Sequence, residues 1–85
     1  MTAAYRDPQW RVVRRAVLER DGRVCRLRSS KKCSGYATEA HHVNDVEDGG
    51  APFAMTNLIA ACKACNIATR NRRVAERARR YREGR

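Results

Sequence analysis

Two adjacent histidines, His41 and His42, are the only histidines of the chain, and Asn57 and Asn66 are among the asparagines that follow them. A neutral imidazole accepts a proton near pH 7 and also ligates divalent cations. An asparagine side chain supplies a neutral oxygen donor or a hydrogen-bonding clamp. Around this set lie four cysteines, Cys25 and Cys33 before it and Cys62 and Cys65 within it, with Asn66 directly after Cys65. Thiolates and imidazoles at such spacing suggest two metal chemistries: a closed site that holds a fold, and an open one that does work.

The cysteines read C-x7-C, then 28 residues, then C-x2-C. The second pair is the sharper signal, because two thiolates three positions apart at a helix start lie on one side of a tight turn, as in zinc knuckles. Four cysteines can form two disulfides or one tetrahedral metal site. The N-terminus has no apolar stretch of signal-peptide length, and no run is long enough to cross a bilayer. The expected setting is the cytoplasm of a bacterial or phage-infected cell, without membrane contact. Thiols stay reduced there, which favours Zn2+ on Cys25, Cys33, Cys62 and Cys65. A rival set would use three cysteines and one of the histidines, leaving one thiol without a role.

These side chains need elements to position them. Residues 8–20 are expected to form a helix, with Asp7 as N-cap, Pro8 at the first position and Asp21-Gly22 as its end. Trp10, Val13 and Val17 recur at helical spacing and are read as core, while Arg11, Arg14 and Arg15 fall mostly off that stripe. Tyr36–Val43 reads as a short strand and Leu58–Ala61 as a second. Asn44–Thr56 is a loop punctuated by Gly49-Gly50 and Pro52, with Asp45, Glu47 and Asp48 as its solvated face. From Lys63 the chain turns helical through about Arg70. Asn71–Tyr81 continues as a further helix or an extension, and Gly84 marks its end. Successive strand residues face opposite ways, so His41 and His42 can share a site only if the strand bends or ends there. One domain spans residues 1–85. Its five aromatic residues make a small core, and a metal staple fits that shortage.

The charge is +10 and uneven. Residues 1–36 carry +7, residues 37–69 carry −3 and residues 70–85 carry +6. Sixteen of the nineteen basic residues are arginine, whose planar fork suits phosphate oxygens. A nucleic acid, held mainly by backbone phosphates, is the expected partner. Arg70, Arg72, Arg73, Arg77 and Arg80 are the candidate contacts in the basic tail.

The stretch from Cys33 through His41-His42-Val43, then Gly49-Gly50, Asn57-Leu58 and Cys62–Asn66, resembles the HNH endonuclease family over residues 25–70. The resemblance implies an α+β fold of the ββα-metal type, with two strands and a helix around one divalent cation. His42 then corresponds to the general base, and Asn57 to the asparagine that orients it. His41 and Asn66 correspond to the ligands of a catalytic Mg2+, Mn2+ or Ni2+. Two neutral ligands would leave several positions open to water and phosphate. The implied activity is metal-dependent hydrolysis of DNA phosphodiesters, by nicking, to 5′-phosphate and 3′-hydroxyl ends. The chain is also similar to small free-standing phage proteins of this family that work with a terminase. The alternatives are a non-catalytic zinc-stabilised DNA-binding module and an adaptor of a packaging machine.

Overall fold

The computed structural model describes residues 6–83. The helix end expected at Gly84 lies outside the described residues. Helix α1 spans Pro8–Arg20, strand β1 Glu39–His42, strand β2 Leu58–Ala61 and helix α2 Lys63–Glu83. Two 3-10 turns, Val46–Asp48 and Met55–Asn57, divide the loop between the strands. The chain is α+β, as expected.

Helix α1 starts where its capping residues put it. The Asp7 carboxylate accepts the Gln9 amide at 2.9 Å, and Pro8 stands where an amide would have no partner. Its buried side is Val17 and Leu18. Val17 packs on Ala40 and Leu58, flanked by Trp10, Val13 and Met55, and Leu18 on Ala37 and Ala60. The strands pair antiparallel, with Ala40 opposite Ala60, His41 opposite Ile59 and His42 opposite Leu58. Strand β1 is shorter than the expected Tyr36–Val43. Tyr36 instead makes an isolated bridge with Val24.

The outer edge of β2 is closed by the end of α1 rather than by a third strand. Asp21 Oδ2 accepts the Ala60 amide at 2.9 Å, and Arg20 donates to the carbonyls of Leu58 and Met55 at 2.6 and 2.8 Å. The Arg26 amide donates to the Ala60 carbonyl. These bonds satisfy main-chain groups that a bare edge would leave open. Helix α2 is one continuous helix through the point where a second was allowed for, because no Gly or Pro interrupts it. No helix among the described residues is long and apolar enough to cross a membrane.

Strand β1 does not bend at the histidines. His42 remains paired with Leu58 and is the last strand residue. The strand thus ends at the histidines, as one of the two alternatives expected, and the two rings turn toward different elements while both residues line one cleft.

Candidate functional site

His41 faces α2. Its Nδ1 lies 2.9 Å from Asn66 Oδ1, and Arg73 Nη2 lies 3.3 Å from its Nε2. A guanidinium can only donate, so Nε2 accepts and Nδ1 carries the proton held by Asn66. Burial pushes the His41 pKa below its usual value, and Arg73 and His42 add to this against the opposing Asn66 and Asp45. The ring is therefore neutral at pH 7, the form that ligates a cation.

His42 faces α1. Its ring stacks on Trp10, with centroids 5.2 Å apart and planes inclined by 22°. Its Nε2 lies 3.0 Å from the Pro52 carbonyl oxygen. A carbonyl only accepts, so the neutral ring donates from Nε2 and keeps its lone pair on Nδ1. Both rings are deeply packed, at 5% exposure for His41 and 6% for His42.

The side-chain hydrogen bonds of Asn57 go to loop backbone. Its Oδ1 accepts the Asn44 amide at 2.8 Å, and its Nδ2 donates to the carbonyls of Asn44 and Ala51 at 3.0 and 2.9 Å. The side chain thus ties both ends of the acidic turn, and Ala51 precedes the Pro52 that holds His42. Gly50 is buried inside this loop, where an added Cβ would overlap the Asn44 carbonyl, so the close approach requires glycine.

Asn66, Arg70, Arg73 and Arg77 recur at helical spacing on one face of α2. With Ala40, His41, His42, Asp45, Glu47 and Val74 they line a cleft of about 260 Å³. Arg73 donates to the carbonyls of His42 and Val43 at 3.0 and 2.9 Å, pinning the end of β1 to α2. Asp45, Glu47 and Asp48, expected as a solvated face, also pair with Arg77, with Glu47 and Asp48 remaining exposed. Of the other arginines singled out in the sequence, Arg70 is exposed at the cleft. Arg72 turns to the Ser29 carbonyl and Thr69, and Arg80 is exposed outside the cleft.

The four cysteines converge below the sheet. Their sulfurs all lie within 4.8 Å of one another, and none forms a disulfide. Cys33 and Cys62 sulfurs are 3.9 Å apart. A tetrahedral ion with metal–sulfur bonds of about 2.3 Å separates its ligands by about 3.8 Å. Backbone amides already point at the thiols, from Cys65 to Cys62 at 3.4 Å and from Ser29 to Cys65 at 3.3 Å. Burial raises Cys62, but the amides of Cys65 and Ser34 and the adjoining thiols outweigh it and bring its pKa to about 6. The Gly35 amide lowers Cys33, yet the thiols of Cys65, Cys25 and Cys62, with burial, push it up to about 12. One thiolate opposes the next, and a central divalent cation removes that opposition. The cluster can hold a metal ion, and it involves neither histidine.

Sequence reasoning missed the Trp10 stack, the Pro52 carbonyl and the Arg20–Asp21 bridge. Only the loop punctuation at Gly49-Gly50 and Pro52 hinted at any of them.

The family model described as HNH endonuclease matches residues 23–72. Among solved structures, the chain is similar to the crystal structure of the deep-sea thermophilic bacteriophage GVE2 HNH endonuclease with manganese ion. Identity is 31% over 93% of this chain and 83% of that one, at a TM-score of 0.59. No curated protein matches the chain.

Proposed function

The chain belongs to the HNH endonuclease family, and from that premise we propose that it is a divalent-cation-dependent DNA nickase with His42 as general base. The observation that carries this reading is the pairing of His41 Nδ1 with Asn66 Oδ1 at 2.9 Å in the cleft that His42 also lines. Neighbouring ligands of an octahedral cation with bonds of about 2.1 Å lie about 3.0 Å apart, so Nδ1 and Oδ1 would fit as adjacent ligands once the cation replaces the Nδ1 proton, the ring takes the Nε2–H tautomer and Arg73 releases Nε2. A cation held by His41 and Asn66 would supply Lewis-acid stabilisation of charge developing on the phosphate.

The chain's own residues do the rest. His42 Nδ1 takes the proton of a water whose oxygen bonds to phosphorus. The bond to the 3′-oxygen breaks, and that oxygen is protonated from solvent, leaving 5′-phosphate and 3′-hydroxyl ends. The Pro52 carbonyl holds the Nε2 proton of the base and the Trp10 face fixes its plane, while Asn57 positions the loop that carries Pro52. Arg70 offers phosphate a guanidinium at the cleft mouth. A single centre acts on one strand at a time.

We assign zinc to Cys25, Cys33, Cys62 and Cys65 as a structural ion, since four thiolates leave no position for water. Manganese, named with the GVE2 structure, supports testing Mn2+ first at His41 and Asn66, beside Mg2+ and Ni2+. A cytoplasmic role beside a terminase in an infected cell belongs to the same reading.

Plasmid DNA with Mn2+ or Mg2+ tests the reading. The wild type is expected to convert supercoiled to open-circular DNA, and His42→Ala to lose at least about 100-fold in rate. Binding without cleavage by either protein would support the non-catalytic module instead.

A further inference from the structure

Arg77 sits on the cleft face of α2 but is covered. Its Nη2 meets Asp45 Oδ2 at 2.8 Å and Asp48 Oδ2 at 3.2 Å, and its Nη1 meets Glu47 Oε2 at 3.4 Å. Arg73 Nη1 lies 3.6 Å from the same Asp45 oxygen. Three carboxylates from four consecutive residues thus gather on one guanidinium, with a second alongside. They are three of only nine acidic residues in a chain of net charge +10, placed beside the cleft where a polyanion must dock. Spread acids would repel DNA there. Acids folded onto an arginine fork instead present the oxygens that a phosphate presents.

We propose that Arg77, with Arg73 beside it, is a binding site for a DNA backbone phosphate, and that Glu47 and Asp48 of the turn Asp45–Asp48 cover it as an internal phosphate mimic until DNA displaces them. The inference rests on the endonuclease reading and names one substrate contact of that site. The cover is built to yield. Glu47 and Asp48 side chains are 65% and 55% exposed, so solvent and salt screen their pairs with Arg77. Gly49, in the left-handed region at φ 93°, follows the turn and ends it. Asp45 has a second task, accepting the Glu47 amide as cap of the turn, so the two exposed acids form the removable part. When the cover lifts, Arg70, Arg73 and Arg77 form a continuous basic stripe beside His41 and Asn66.

The test is a double-mutant cycle read as affinity for a short DNA duplex without added divalent cation, so that no strand is cut. Glu47→Gln with Asp48→Asn is expected to bind about three- to ten-fold tighter than wild type. Combining that pair with Arg77→Ala should abolish the gain, because the freed site is then missing. Arg77→Lys serves as a second background if the alanine variant fails to fold by circular dichroism. It keeps the charge but loses the fork, and should retain only part of the gain. Glu76→Gln with Glu83→Gln makes the same charge change on α2 away from the cleft and should gain less than about two-fold. A gain that persists undiminished without the Arg77 fork, or that the Glu76/Glu83 pair reproduces, overturns the phosphate mimic while leaving the endonuclease reading intact. A protein that binds no DNA in any form overturns both.

Discussion

At the scale of single residues, the adjacent histidines meet different partners. Strand alternation sends His41 to Asn66 and His42 to Trp10 and Pro52. Asn57 holds the loop that carries Pro52. It makes three bonds to the loop backbone, each contributing about 1 kcal/mol. Asn57→Ala should therefore free the segment carrying Pro52 and let the His42 ring move. A shift of about 1 Å in a reacting group costs about 100-fold in rate, so nicking is expected to fall by that order. Affinity for DNA should stay within about two-fold of wild type, since Asn57 does not line the cleft. A variant that nicks normally would show that the clamp does not position the base. The four-membered set could be singled out because the histidines are the only two of the chain and the spacing is specific. The partners were not, because a carbonyl such as that of Pro52 has no sequence signature, and Trp10 at a helical core position reads as packing alone.

At the scale of elements, caps and turns were legible where the signal is local. Asp7 and Pro8 start α1 and Asp21 ends it, and β2 has the bounds its residue types suggest. What stayed hidden is long-range side-chain bonding to backbone. Arg14 donates to the Thr38 carbonyl at 2.8 Å, and Arg20 reaches Met55 and Leu58. Those arginines looked like surface charge, yet they pin α1 to the sheet. Asp21 completes the junction, with its carboxylate on Arg20 and on the Ala60 amide. The Arg20 hydrogen bond, helped by the Ala60 amide and the charges of Arg20 and Arg26, outweighs burial and holds the Asp21 pKa below its usual value. Between the folded value and the unfolded value near ~3.9, the unfolded chain binds the proton and the folded chain does not. This contribution is present above that unfolded value and is lost as pH falls through the folded one. Asp21→Asn should thus be less stable than wild type by about 1–2 kcal/mol at pH 7. The gap should close as urea midpoints are followed down through pH 4 to 2. A gap that stays constant with pH would show that the aspartate acts through shape and not charge.

At the scale of the whole molecule, the core is too thin to hold the fold alone. Among the described residues, the fully packed apolar ones are Val17, Leu18, Leu58 and four alanines, and the others are Cys25, Cys62 and Cys65. Those cysteines form their own cluster with Ala61, flanked by Leu27, Cys33 and Ala64, and it joins the loop after α1 to the start of α2. The Ser29 hydroxyl adds a bond to the Cys65 carbonyl and another to Thr69. Metal bound at this junction would set where α2 leaves the sheet, and with it where Asn66 stands relative to His41. Structural zinc in small domains contributes about 10 kcal/mol or more, which exceeds what so few buried side chains supply. A chelator at pH 7 should abolish the cooperative thermal transition and most of the helical dichroism. One equivalent of zinc should restore both but not nicking, and Mn2+ or Mg2+ added afterwards should restore nicking. The order of addition separates the two metals, because thiolates select the softer ion and the imidazole–amide pair accepts the harder one. If Mn2+ or Mg2+ alone rebuilt the fold, or zinc alone restored cleavage, the division of the chain into a closed structural site and an open catalytic one would fail.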